Sequence, residues 1–292
     1  ITQNWKVTVI TPFQEEFKEL YSDFDDGKVE VVRTKPFFYN RFPTMNYWNY
    51  KTPGALKLLK PLLPFLGYIR WIPSAIKEAK KYITPNTLLY TINNPVTLHF
   101  VGMRTFKNAR KWVAEFRDPW VGYEYSRRGW LGSKLDLILE KKLVKDCDII
   151  CFRKGIQVST EELQNRYPLW KHKVKELPDY GVDLNDFANQ SFPDKNQELI
   201  HGVFAGDFHG DSTPEALLSA LEKFNTNHSD RKIDCDLYGK NIKGFRESSA
   251  ADFKGFVPYS ELLQHYQKAH YTVIYDEATS SLSKKYFFPS KL

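Results

Sequence analysis

Short apolar runs alternate with segments of helical period along most of the chain. Strand-like runs fall at residues 6–10 (KVTVI), 28–33 (KVEVVR), 87–91 (TLLYT), 111–116 (KWVAEF), 148–152 (DIICF) and 174–177 (VKEL). Residues 131, 135, 138, 139 and 143 are apolar at helical spacing. A helix is expected behind Asn94, with Pro95 in its first turn, and another at 160–167 behind Ser159 or Thr160. Strands joined by long crossovers pair in parallel, and a parallel sheet is covered on both faces. Residues 179–197 are polar and rich in turn formers, so they read as a linker. The alternation then restarts, with strands expected at 199–205, 233–238, 253–256 and 271–275. Helices are expected at 214–224, behind Ser212 or Thr213, and at 259–270, with Ser260 as cap. The pattern predicts an α/β protein of two Rossmann-like domains, residues 1–178 and 198–292. Ligands of such sheets bind outside the carboxyl ends of the strands, so the loops after strands are the candidates for function.

Composition agrees with a folded protein. Of 292 residues, 42% are hydrophobic, 15% aromatic and 26% charged, which excludes disorder, collagen and coiled coil. The net charge of +7 hides an asymmetry. Residues 1–178 hold 30 Lys/Arg against 18 Asp/Glu, or +12, and the remainder holds 12 against 17, or −5. The basic part predicts an anionic partner, such as a membrane surface. Cys147, Cys151 and Cys235 are too few for a disulfide framework and fit a reducing compartment. The spacing of the first two lacks a matching Cys/His pair, so buried cysteines are expected there rather than zinc. The opening residues are not a signal peptide, and no apolar run is long enough to span a bilayer. The chain begins without Met just before a strand and reads as cut at the front. Residues 57–81 mix Leu, Phe, Trp and Tyr with Lys and Arg. Two readings stand for them: a segment in a membrane interface, or amphipathic helices on the core with a solvated basic face.

Several signatures are absent: a dinucleotide G-x-G-x-x-G, a P-loop, H-E-x-x-H and G-x-S-x-G. The D-x-D triplets at 23–25, 146–148 and 234–236 are poor metal candidates, since the last two sit at strand entries, away from the ligand end. Three loops carry candidate chemistry. In EFRDPW (115–120), Arg117 and Asp118 follow a strand. Arg pairs with anions bidentately and Asp orients or deprotonates a hydroxyl, or the two form a salt bridge that shapes the loop. In GDFHGDST (206–213), Gly206 and Gly210 admit a ligand to the backbone ahead of a helix, the arrangement of a diphosphate site. Asp207 and Asp211 place negative charge there, and Lys240 after the next strand offers a counter-charge. GFVPYSEL (255–262) presents backbone to a base edge and Tyr259 to its face, or is a plain helix start.

Taken in order, these segments resemble retaining glycosyltransferases of the GT-B fold, in particular the large family usually called family four. TINNPVTLHFVG (91–102), WVAEFRDPW (112–120) and ILEKKLVKDCDIICF (138–152) resemble the acceptor domain of its FRDPW-containing subset. LPDYGVDLNDF (177–187) resembles its interdomain stretch. GVFAGDF (202–208), DLYGK (236–240), FKGFVPYSELLQHYQKAHYTVIY (253–275) and FFPSKL (287–292) resemble its donor domain. The resemblance covers most of the chain. It implies two facing domains and transfer of a sugar, with retention, from a nucleotide-diphosphate donor to a hydroxyl. The acceptor would be a glycan or lipid-linked molecule in cell-surface polysaccharide or glycolipid synthesis. No metal or cofactor is implied beyond the nucleotide sugar itself.

The resemblance assigns Asp118, Arg117 and His99 to the acceptor side and Gly206, Asp207 and Lys240 to the donor phosphates. It assigns Val257, Pro258 and Tyr259 to the base, and places Lys291 in the S-K-L that precedes the family's Glu-x7-Glu motif. The implied setting is cytoplasmic, peripheral on the inner face of the membrane through the basic part. The sequence departs from the family in three ways. Asp207 and Asp211 stand in the loop where Arg and Lys usually grip the diphosphate. The family's first strand with its glycine-rich loop is expected before Ile1, and its carboxylates after Leu292. A sugar-nucleotide epimerase shares this fold, and a non-catalytic nucleotide-sugar-binding protein fits the altered loop. Nucleic-acid binding is not expected: the pI of about 9.0 comes with no recognition motif.

Overall fold

The computed structural model describes residues 5–13, 29–36, 70–93, 96–117, 119–121, 130–153, 157–178, 193, 198–206, 208, 213–239 and 245–274. The chain divides into two compact units, Ile1–Asp179 and Tyr180–Leu292. Every strand pairing within the sheets is parallel, so the protein is α/β.

In the first unit β1 (Val7–Pro12) and β2 (Val29–Thr34) form a two-stranded sheet. A second sheet holds β3 (Leu88–Ile92), β4 (Lys111–Phe116), β5 (Ile149–Arg153) and β6 (Val174–Leu177) in chain order. The helices are α1 (Ile72–Tyr82), α2 (His99–Thr105), α3 (Trp130–Asp146) and α4 (Gln157–Arg166). The single sheet expected for this unit is thus two sheets among the described residues. Ile10 of β1 packs against Trp71, Ile72, Ala75 and Ala79, so α1 anchors the smaller sheet. That helix keeps Lys77, Lys80 and Lys81 exposed. Of residues 57–81, the described part is therefore a core-packed amphipathic helix; residues 57–69 lie outside the described residues.

β4 organises the main core. Trp112, Ala114 and Phe116 are fully buried and meet Leu143 and Val144 of α3, Leu163 of α4, and Ile150 and Phe152 of β5. Phe116 stacks on Phe152 with centroids 5.3 Å apart. Helix α4 starts a turn earlier than expected, which puts Ser159 and Thr160 inside it rather than at its cap. Thr160, Leu163 and Tyr167 form one buried stripe along it. A 3-10 turn, Val96–Leu98, leads into α2, and the expected cap Asn94 and its neighbour Pro95 lie outside the described residues.

The second unit holds β7 (Leu199–Ala205), β8 (Lys232–Tyr238), β9 (Ala251–Gly255) and β10 (Tyr271–Thr272), in the spatial order β10-β7-β8-β9. Helix α5 (Glu215–Asn227) covers one face through Leu218 and Leu221, which pack with Phe204, Cys235 and Leu237. Helix α6 (Tyr259–Lys268) lies toward the other, where His265 stacks on Tyr238 at 4.7 Å. Neither helix has the expected side-chain cap. Pro214 and Pro258 occupy the cap positions, so Thr213 and Ser260 do not cap, and Ser212 lies outside the described residues. At α6 the carbonyl of Pro258 accepts from the amides of Glu261 and Leu262, starting the helix without a side chain.

Gly202 in β7 is a place where only glycine fits. A Cβ there would fall 2.1 Å from the Tyr271 ring, whose hydroxyl donates to the Asp234 carbonyl at 2.6 Å. Gly202→Ala is expected to destabilise the second unit by about 1–3 kcal/mol through overpacking. Denaturant titration of the two proteins checks it, and unchanged stability would mean that the Tyr271 ring moves aside at no cost.

Candidate functional site

Both units present loops at the carboxyl ends of parallel strands, and each is built differently. In the first unit Asn93, which follows β3, ties two strand ends together. Its amide donates to the Glu115 carbonyl at 2.9 Å, and its side-chain oxygen accepts from the Arg117 amide at 2.5 Å. Arg117 follows β4 with its side chain 44% exposed, its Nε 3.9 Å from Oε1 of buried Glu115. The Tyr90 hydroxyl donates to the other oxygen of Glu115 at 2.5 Å. A half-solvated guanidinium thus stands on the rim of the sheet, backed by a buried carboxylate. Asp118 lies outside the described residues.

The loop beyond Arg117 is held from behind by two buried carboxylates one turn apart on α3. Asp136 accepts from the indole nitrogen of Trp120 at 2.9 Å. Glu140, 1% exposed, accepts from the Val121 amide at 3.2 Å, from Arg166 at 2.8 Å and from the Tyr167 hydroxyl at 2.9 Å. Burial raises the pKa of Glu140, and the Arg166 charge and these hydrogen bonds pull it back. A small pocket lies beside the loop, lined by Phe116, Pro119, Trp120, Glu140, Phe152 and Arg166.

His99 opens α2 and is 0% exposed. Its Nδ1 lies 2.8 Å from Thr91 Oγ1, which also accepts from the Trp112 indole at 2.9 Å, and its ring lies 4.9 Å from that of Phe116. The Thr91 hydroxyl thus links the Trp112 indole to the His99 ring, and the direction of its bond to Nδ1 follows the tautomer of that ring. Nε2 has no hydrogen-bond partner among the described residues. Burial pulls the pKa down to about 3, so the ring is neutral at physiological pH. His99 is enclosed in the core rather than presented on a surface.

In the second unit three neighbouring strands run out on glycine. Gly206 follows β7 with φ 150° and donates to the Tyr238 carbonyl at 2.8 Å. Gly239 follows β8 and donates to the carbonyl of Gly255, the last residue of β9, at 3.0 Å. Gly255 has φ +79°, a conformation side-chain-bearing residues rarely adopt. These three positions put no side chains on the rim. The strand order also reverses at β7, between β8 on one side and β10 on the other, which makes a topological switch point. Beside it Val257 is half-buried, Pro258 is exposed, and Phe256 and Tyr259 are 50% and 57% exposed at the start of α6. Asp207, Lys240 and Lys291 lie outside the described residues.

The remaining candidates are accounted for by local bonds. Asp148 accepts from the Trp112 amide at 2.7 Å, Asp146 pairs with Lys142, Asp234 bonds His201 at 2.8 Å, and Asp236 lies 3.5 Å from Lys254. No group of three metal-ligating side chains occurs among the described residues. The three cysteines are buried and free, and burial pushes the thiols of Cys147 and Cys235 up to about 12.

Sequence reasoning passed over Asn93, Glu115, Asp136 and Glu140. Two signals were there to be read: a glutamate inside an otherwise apolar strand, and two carboxylates at i, i+4 on a helix that faces the FRDPW loop. No protein-family model and no curated protein matches this sequence.

Proposed function

We propose that this protein is a retaining glycosyltransferase of the GT-B type, in which the second unit holds a nucleotide-diphosphate sugar and the first offers the acceptor hydroxyl. The observation that carries the reading is the glycine rim at the carboxyl end of the second sheet, whose first member, Gly206, borders the switch point. There a diphosphate can approach the backbone without meeting side chains, next to the exposed Tyr259 that would stack on a base. In the first unit Arg117 provides a fixed, half-solvated cation at a strand end, suited to positioning an acceptor together with Asp118. Chemistry would proceed by electrostatic stabilisation of the departing diphosphate and of an oxocarbenium-like sugar. The acceptor class we propose is a glycan or lipid-linked hydroxyl, met at the inner face of a membrane by the basic first unit.

A second reading is a nucleotide-sugar-binding protein without turnover, and one observation favours it: the acidic Asp207 and Asp211 in the loop after β7. Release of nucleoside diphosphate from a panel of sugar donors separates the two. The transferase reading predicts acceptor-dependent release, lowered about a hundredfold by Arg117→Ala with donor binding unchanged. Saturable donor binding without release would support the binding protein, and release without acceptor would point to an epimerase-like hydrolysis.

A further inference from the structure

Helix α3 carries its polarity inside out. Its buried side holds Asp136 and Glu140 along with Gly132, Leu143 and Val144, and its outward side exposes Trp130 (68%), Leu131 (57%), Leu137 (40%) and Ile138 (64%). The expected apolar stripe at 131, 135, 138, 139 and 143 is therefore split, with Leu131 and Ile138 facing solvent. The reason lies in the loop just described: Trp120 and Val121 need carboxylate acceptors, and those acceptors take the inward positions. Lys134, Lys141, Lys142 and Lys145 are exposed among the outward apolar residues. Stepping 100° per residue, the four apolar and four lysine positions share one arc of the helix, with Asp146 just beyond its edge in an ion pair with Lys142. The Lys134 ammonium lies over the Trp130 ring at 3.9 Å from its centroid. At the helix end, Lys173 caps the carbonyls of Val144, Lys145 and Cys147, so the outward lysines are not needed for that task.

We infer that the outward face of α3 docks on an anionic lipid surface. An aromatic, three aliphatic side chains and four lysines on one helix face is the makeup of an interfacial helix, whose apolar residues enter the headgroup region as the lysines meet anionic headgroups. A second copy of the chain is a poor occupant, because a symmetric contact would set four lysines against four. The unit that carries α3 holds the chain's positive excess, so long-range attraction and the local face act in the same sense. No helix among the described residues is long and apolar enough to cross a membrane, so docking would be peripheral. This inference rests on the membrane-surface part of the functional reading and is independent of glycosyl transfer.

The test is co-sedimentation of the full chain with phosphatidylcholine vesicles, with and without phosphatidylglycerol, in the absence of any sugar donor. Binding is expected only to the anionic vesicles. Leu131→Ser with Ile138→Ser, and separately Lys134→Glu with Lys141→Glu, are each expected to weaken it by roughly tenfold or more. Lys77→Glu with Lys80→Glu on α1 is expected to have a much smaller effect. All the altered side chains are exposed, and unchanged thermal melts confirm that the fold persists. Failure to bind anionic vesicles would overturn the inference, as would binding that survives both α3 variants. A dimer abolished by the Leu131/Ile138 change would also overturn it, by making the face a self-contact. Donor-release assays read none of these outcomes, so the two proposals fail separately.

Discussion

Replacing Glu140 with alanine is expected to destabilise the first unit by about 3 kcal/mol, the cost of breaking a buried charge pair from one side. The substitution removes the acceptor of three donors at once: the Val121 amide, the Tyr167 hydroxyl and the Arg166 guanidinium. Arg166 keeps partial access to water, with its side chain 26% exposed, so the effect falls at the lower end of the range for such pairs. The loss also frees the chain just beyond Arg117. Transfer is therefore expected to fall by about a hundredfold even at temperatures where the protein stays folded, since small misplacements of positioning groups cost that much. Glu140→Gln distinguishes positioning from bulk stability. Its amide oxygen still accepts from Val121 or Tyr167, while the charge facing Arg166 is gone. We expect stability between that of wild type and the alanine variant, with transfer largely restored. Denaturant titrations and donor-release rates on the same three proteins check this, and equal losses of activity in both variants would contradict a positioning role.

Acid is expected to unfold the first unit through His99. The ring is neutral in the folded state, with a pKa near 3, and titrates near 6.5 once exposed. Below 6.5 the unfolded chain binds a proton that the folded chain does not, so stability falls as pH falls. The window runs from 6.5 down to about 3. At about 1.4 kcal/mol per pH unit the cumulative loss is about 5 kcal/mol, a large share of the stability of a single domain. His99→Asn keeps a hydrogen-bonding amide beside Thr91 and removes the titration. Its stability is expected to be flatter between pH 6.5 and 3 by about one proton's worth of slope. Parallel slopes for the two proteins would show that the His99 ring accepts its proton without leaving the core.

The fold was legible wherever apolar runs were bounded by turn residues. KWVAEF, VKEL and LIHGVFA became β4, β6 and β7 with the expected bounds, because each short run is closed by the turn formers that follow it, Asp118-Pro119, Pro178-Asp179 and Gly206-Asp207. Helix starts were less legible. Ser and Thr suit caps, but the carbonyl of Pro258 starts α6 in place of Ser260, and α4 begins at Gln157, ahead of Ser159 and Thr160. The face of α3 could not be read from periodicity at all. Period alone says that one side is buried, and here the side chosen is the one with Asp136 and Glu140, because the loop after β4 supplies their donors. That choice depends on contacts between segments far apart in sequence.

The same distinction runs through the candidate site. Arg117 and the glycines after β7 and β8 could be placed from sequence, since a strand end followed by a loop is a local pattern. His99 could not: a histidine after N-N-P reads equally well as a surface group or a packed one. Its burial is decided by Thr91, Trp112 and Phe116 on two strands. Gly255 completes the rim formed with Gly206 and Gly239, but its positive φ has no local sign in a sequence that reads as an extended run into a helix.

The central claim is that the carboxyl end of the β7–β9 sheet holds a nucleoside diphosphate. Amide chemical shifts of the full chain, followed during titration with uridine, guanosine and adenosine diphosphates, test it most directly. The account predicts that at least one of the three produces saturable shifts concentrated at Gly206, Gly239 and Gly255 and in Val257 and Tyr259, with the amides of Leu199 and Ile200 at the opposite end of the sheet unmoved. Saturable shifts centred elsewhere, or none with any of the three, would contradict it.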